Sequence, residues 1–342
     1  MILMEDFENS TTSQISHGAE EYTRFAGHSV PAHYGDPAAE YATLTESAVI
    51  VDRSYKAVLK LDGKDPAGLL KAVLTNDVPP GDSLGAYAAL LDPKGHVQTD
   101  LRLLKSGESI LVDTEPEGAE AARNILGRYA PFSQVKIQNL DSWGILGLYG
   151  PWARDLLGLP LNEHETAVAN IDGEPILTAG VLHPSPGYDL IGPTDLLKKV
   201  RQHLVTEGAM PIGIHAYETV RVEAGTPRFG ADITSENFPA EAGILDRAVS
   251  FAKGCYPGQE TVARMHYRGH PNRSLHHLLV EDEPPQPGTG IFQNAKQVGK
   301  ITSVAPLPVN DQTLALGYLH RNADLDSSLV AADSVIVPQP LS

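Results

Sequence analysis

The sequence predicts an α+β protein: two antiparallel-sheet domains with helices, followed by a small β-barrel. Three observations carry that prediction. One order of elements, β-α-β-β-β-α-β, is legible twice, over residues 57–140 and 144–214. Glycine and proline are frequent, 31 and 26 of 342 residues, which favours many turns over long helices. After Ser274 the helical periodicity stops and short strands alternate with turns, the pattern of a barrel.

Residues 1–28 read as a loose polar tail. Asp36-Pro37 opens a helix to about residue 47, with Asp as N-cap and Pro at the first helical position. Alternation over 57–62 reads as a strand ended by Gly63, and 66–74 as a helix. Two strands flank the turn Asp92-Pro93-Lys94-Gly95. A strand over 109–113, a helix over 117–128 and a strand over 134–140 complete the first unit. The second runs as a strand over 144–149, a helix over 151–157, strands around Asp172-Gly173, a strand over 188–191 and a helix over 194–204. Residue identity between the two units is slight, so the repeat rests on element order. Residues 217–224 read as the end of a helix stopped by Gly225. In the last segment, 299–304 and 313–319 read as strands, and the acidic, Pro- and Gly-rich stretch 281–290 as a surface loop.

Formal net charge is −17, which repels nucleic-acid phosphates and anionic lipid. No direct nucleic-acid partner and no membrane partner are expected. The single cysteine, Cys255, closes no intrachain disulfide and holds no iron–sulfur cluster alone. No apolar run approaches the ~18 residues of a spanning helix. The N-terminus lacks the basic and apolar regions of a signal peptide, so a cytoplasmic protein is expected.

Chemistry concentrates in residues 247–273. Arg247, Lys253, Arg264, Arg268 and Arg273 stand there against one acid, a candidate anion site or else a solvated basic face. Residues 253–258 form a turn-rich loop, and 259–266 read as a short helix. Cys255 therefore precedes a helix N-terminus and lies near Lys253; both favour a thiolate, the alternative being an inert buried cysteine. His266, His270, His276 and His277 follow, but His276 and His277 fall on opposite faces of a strand, so no metal site is expected. Glu223 sits in the last turn of its helix, where a carboxylate opposes the dipole at roughly 0.3–1 kcal/mol. A local rule broken in this way often marks a site; an exposed helix-end glutamate is the plain alternative.

A resemblance sharpens this reading. Lys253 through Glu260, K-G-C-Y-P-G-Q-E, is similar at every defined position to the signature loop of the YgfZ group, K-G-C-Y-x-G-Q-E. Other segments resemble the GcvT-like aminomethyltransferase superfamily to which that group belongs. These are G-D-P-A-A-E-Y from Gly35, V-D-R-S from Val51, T-N-D-V from Thr75, R-V-E-A-G from Arg221, K-I-T-S from Lys300 and L-G-Y from Leu316. The resemblance implies a three-domain ring around a central folate cavity. Residues 29–55 plus 142–270 would form a discontinuous folate-binding domain, 56–141 an inserted ferredoxin-like domain and 271–342 the barrel. It implies tetrahydrofolate or a one-carbon derivative as cofactor, and iron–sulfur client enzymes as partners. The implied function is assembly or repair of those enzymes, with an indirect effect on tRNA modification. Cys255 and Lys253 would carry the reactive loop. Glu223 would contact the pterin, Tyr256 stack on an aromatic ring, and Arg264 and Arg268 meet the glutamate carboxylates of the folate.

The second reading is a tetrahydrofolate-dependent aminomethyltransferase resembling the glycine-cleavage T-protein. That branch resembles G-G-x-x-D-D-L in a hairpin, where this chain has Gly95-His96-Val97-Gln98-Thr99-Asp100-Leu101. Asp100 remains as the catalytic candidate. The branch's loop resembles K-x-F-I-G and lacks the cysteine. A third reading is a binding module whose folate pocket is vestigial.

Overall fold

The structure, a computed structural model, describes residues 15–16 and 18–339. β1 (Glu21–Phe25) pairs antiparallel with β2 (His28–His33), and Ile15 is completely buried in a core cluster. This corrects the loose tail expected through residue 28, for which residues 1–14 and 17 lie outside the described part. Polar composition hid the strand because few β1 side chains need burial: Phe25 packs edge-on against Tyr55, with ring centroids 5.1 Å apart. α1 (Pro37–Glu46) begins as expected, with Asp36 Oδ1 accepting from the Ala38 N–H at 2.9 Å. β3 (Val49–Asp52) follows.

The first unit comprises β4 (Ala57–Gly63), α2 (Pro66–Val73), β5 (Ala86–Leu91), β6 (Val97–Ser106), β7 (Ser109–Thr114), α3 (Pro116–Tyr129) and β8 (Val135–Asn139). Its sheet has the order β5-β6-β7-β4-β8. The second comprises β9 (Trp143–Tyr149), α4 (Ala153–Leu157), β10 (Thr166–Ile171), β11 (Glu174–Val181), β12 (Gly187–Pro193), α5 (Thr194–Thr206) and β13 (Met210–Ile212). Its order is β10-β11-β12-β9-β3-β13. Both units therefore place their strands second-third-fourth-first-fifth. The repeat read from element order is a repeat of topology, with one change: β3, from upstream of both units, is inserted between β9 and β13. It runs antiparallel to β9 and parallel to β13.

Strand alternation gives each sheet two faces. In the first, Leu59, Leu61, Leu101, Leu103 and Val112 turn toward α2 and α3. In the second, Ile50, Leu146, Leu148 and Leu190 form a core with α5. The opposite faces meet along an apolar seam of Val58, Leu104 and Leu111 against Ile145, Ala179 and Ile191. The rest of the meeting faces is charged, and there the candidate site lies.

α6 (Ile214–Glu223) is buried over most of its length; α7 (Leu245–Ala248) and α8 (Gln259–Arg268) follow it. The last segment, β14 (Arg273–Val280), β15 (Gly290–Gln293), β16 (Lys296–Val304), β17 (Thr313–His320), β18 (Leu329–Ala331) and β19 (Ser334–Gln339), closes into a barrel of order β14-β17-β16-β15-β18-β19. Arg221 ties α6 to it, reaching Asp232 Oδ2 at 2.7 Å and Ser303 Oγ at 2.9 Å. No helix among the described residues is long and apolar enough to cross a membrane.

Candidate functional site

A cavity opens where the charged faces of the two sheets meet α6 and residues 226–229. Asp100 reaches it from β6. Its neighbour Thr99 points the other way, under α3, where its hydroxyl lies 2.7 Å from that of Thr114. A Cβ on Gly118 of α3 would come within 1.9 Å of the same hydroxyl, so this contact requires glycine. Alternation thus separates the two positions of the expected acid pair: the retained acid faces the cavity, and the replaced one is packed beneath a helix.

Asp100 is buried, and its Oδ2 accepts from the Tyr87 hydroxyl at 2.5 Å. Burial raises its carboxyl to about 6, the Tyr87 hydrogen bond and the Lys56 charge pulling against that rise. Arg247 lies over the Tyr87 ring, 5.3 Å from its centroid, and its Nη2 reaches Glu163 at 2.8 Å.

Behind Asp100 runs a chain of alternating charges. Arg102 reaches Asp113 at 2.8 Å on its own sheet and Asp189 at 2.6 Å on the other. Asp189 is also held by Arg53 at 3.0 Å, and Asp113 by Lys56 at 2.7 Å. Burial works against both carboxylates, but the adjacent guanidinium groups outweigh it and hold each below the usual carboxylate range.

Four buried polar atoms lining the cavity lack a hydrogen-bond partner: Arg53 Nε, Glu115 Oε2, His164 Nδ1 and Arg228 Nε. Each costs about 1–3 kcal/mol if left unmet. Burial and the nearby Arg102 push His164 down to about 4, so it is neutral at physiological pH. Tyr55, Tyr87 and Tyr217 contribute flat rings to the same lining. Donors, an acceptor and aromatic surfaces are together the complement of a pterin ring, which carries all of these on one planar body.

The other expected site residues lie elsewhere. Glu223 accepts from the Tyr41 hydroxyl at 2.9 Å, between α6 and α1, and does not line the cavity. Glu218 and Arg221 of the same helix do, joined at 2.8 Å. Residues three apart share a helix face, and position 223 falls on another. Lys253 is buried, its Nζ donating to the carbonyls of Lys71, at 2.9 Å, Leu74 and Asn76, at 3.1 Å. It thereby caps the C-terminal end of α2, where a cation is favoured. Burial lowers it to about 8, leaving it charged at neutral pH. Tyr256 packs with Leu91, Val97 and Val262 instead of facing the cavity. Gly258 has φ +82°, and a Cβ there would meet the Asp92 carbonyl at 2.6 Å, so the loop closes directly onto the β5–β6 turn.

Cys255 is exposed at the apex of this anchored loop and does not line the cavity. Arg264 and Arg268 are exposed on α8, Arg273 pairs with Glu241 at 3.3 Å, and only Arg247 of the five basic residues borders the cavity. The basic stretch is therefore not one anion site, because its cations are spent on separate partners or on solvent. His266 stacks on Phe251, and His277 contacts the Val222 carbonyl at 2.8 Å. Among the described residues no three His, Cys, Asp or Glu side chains are grouped as metal ligands.

Residues 11–172 match the model of the GCVT N-terminal domain. An aminomethyltransferase of Staphylococcus carnosus (strain TM300) is 24% identical over 312 residues, covering 87% of this chain and 86% of the relative. The crystal structure of glycine cleavage system aminomethyltransferase T from Bartonella henselae superposes with a TM-score of 0.83 at 21% identity, over 94% of this chain and 93% of that one. The fold is GcvT-like. Within it, the sequence reading found Asp100 but missed Tyr87, Arg102, His164 and Glu218. Arg102 and Asp113 left a signal: each is a charge inside a strand whose neighbours on both faces are apolar, so neither face was free to be solvent.

Proposed function

We propose that this chain binds a reduced folate, tetrahydrofolate or a one-carbon derivative, in the central cavity, with Asp100 beside the one-carbon end. The observation that carries this reading is a lining that joins tyrosine rings to four buried polar atoms without partners. A ligand offering ring N–H donors, an amine and ring acceptors meets those atoms at once. Of the two reactions weighed, the named relatives favour aminomethyl transfer over support of iron–sulfur enzymes. The retained, cavity-facing Asp100 supports the same choice, since a carboxyl near 6 exchanges protons close to neutral pH.

One observation favours the iron–sulfur reading. The complete K-G-C-Y-P-G-Q-E loop holds Cys255 exposed, on a support built from Lys253, Tyr256 and Gly258. Neither Lys253 nor Tyr256 is then a reacting group; they position the thiol. Calorimetric titration with tetrahydrofolate tests the shared part: absence of binding at hundreds of micromolar removes both reactions. Single-turnover assay with an aminomethylated carrier protein separates them. Turnover lost in Asp100→Asn and kept in Cys255→Ser supports transfer. Absence of turnover, together with loss of iron–sulfur enzyme activity in cells carrying only Cys255→Ser, supports the other reading.

A further inference from the structure

A second depression borders the central cavity on its barrel side. It lies between β1, α6, residues 230–231 and the barrel at Pro287 and β16. The cavity and this groove share three lining residues, Glu218, Arg221 and Arg228. Two exposed cations flank the groove: Arg24 of β1 and Lys300 of β16. Neither has a side-chain partner among the described residues. The one acid in the lining, Glu218, is engaged by Arg221 Nε at 2.8 Å. Arg228, at the shared wall, lies over the Phe25 ring, 4.6 Å from its centroid, and pairs with Glu117 at 3.2 Å, yet its buried Nε has no partner. In a chain of net charge −17, a groove whose free charges are both positive is a local exception that calls for an anion.

We infer that this groove receives an extended chain of carboxylates continuous with the ligand of the cavity, namely an oligo-γ-glutamyl tail on the folate. The inference rests on the folate reading given above. The ring end lies among the tyrosines, the tail crosses at Arg228, and successive carboxylates meet Arg24 and Lys300. The groove is open along one side, so it accepts tails of different length and gains little beyond the carboxylates its two cations reach.

The test compares tetrahydrofolate carrying one glutamate with the same compound carrying three, by calorimetry on the full chain. Two exposed ion pairs tighten the longer ligand about three- to thirtyfold at low salt, and 0.5 M salt removes most of the gain. In Arg24→Glu with Lys300→Glu the gain disappears while affinity for the one-glutamate form is unchanged. Both positions are surface residues, and an unchanged circular dichroism spectrum verifies folding; Arg24→Gln with Lys300→Gln repeats the test without charge reversal. Equal affinity for the two tail lengths overturns the inference but leaves folate binding intact. A gain that survives in both double variants overturns it as well. If neither ligand binds, the folate reading falls, and the tail site falls with it.

Discussion

The Tyr87 hydroxyl donates to Oδ2 of Asp100 at 2.5 Å, on the face of the first sheet that looks into the cavity. The two sit on neighbouring strands, where Ala89 is the residue directly opposite Asp100 and Tyr87 lies one same-face step away. Burial raises the Asp100 carboxyl, and the tyrosine opposes the rise. Tyr87 thus sets how much of the ionised form is present near neutral pH. Tyr87→Phe should move the Asp100 titration above 6, as read by carbon NMR of the carboxyl group; an unmoved or lowered titration contradicts this role.

Asp100→Asn should stabilise the fold at neutral pH. The folded carboxyl titrates at about 6 against an ordinary 3.8. A raised acid disfavours folding once it is ionised, so the cost is absent below pH 3.8, grows through the interval and is complete above 6. That difference corresponds to roughly 3 kcal/mol at most. Urea unfolding at pH 7.5 and pH 4 measures it. Equal effects at both pH values would show that the charge is not the cause.

Glu218→Gln should weaken tetrahydrofolate binding about tenfold or more, as loss of a charged hydrogen bond does. Glu223→Gln should change it less than threefold, because that side chain is turned toward Tyr41. Calorimetry on both variants, with thermal melts to verify folding, decides between the sequence-based choice of carboxylate and the geometric one.

Lys253→Met should destabilise the protein by roughly 1–3 kcal/mol, since three carbonyls lose one buried donor. Local opening should be strongest around residues 251–258, seen as faster amide exchange there. A variant that exchanges like the parent would mean that Gly258 and Tyr256 hold the loop without it.

Cys255→Ser should leave thermal stability and folate affinity within error, because the thiol is exposed and lies outside the cavity lining. The native thiol should be alkylated by iodoacetamide without denaturant. Alkylation only after unfolding would contradict its exposure.

Much of the architecture was readable before any coordinates. Turn residues punctuate nearly every element, so the strand over 57–62 and the helix over 194–204 fall within two residues of β4 and α5. What the sequence concealed was partnership across long distances. Nothing local in Val49–Asp52 says that it sits between β9 and β13. Site residues divide along the same line. Asp100 was reachable because it stands in a hairpin segment with a recognisable pattern. Arg102, Asp113 and Asp189 acquire meaning only when two sheets face each other. Glu223 misled because a carboxylate at a helix end is conspicuous in sequence, whereas direction around the helix is fixed by tertiary packing.

The inserted strand β3 has a consequence for biosynthesis. Val49 pairs with Tyr149 and Met210, so the entire first sheet emerges from the ribosome between β3 and its earliest partner. That first sheet is contiguous in the chain and closes on its own contacts. The nascent chain must therefore carry a short, strongly apolar segment, Val49-Ile50-Val51, unpaired while its neighbour folds beside it. Loop-closure entropy for the later pairing is lowered once the intervening residues are compact, since β4 and β8 lie side by side and shorten the distance between β3 and β9. The discontinuity in sequence thus orders assembly in time, with the first sheet acting as the clasp that delivers β3 to its slot.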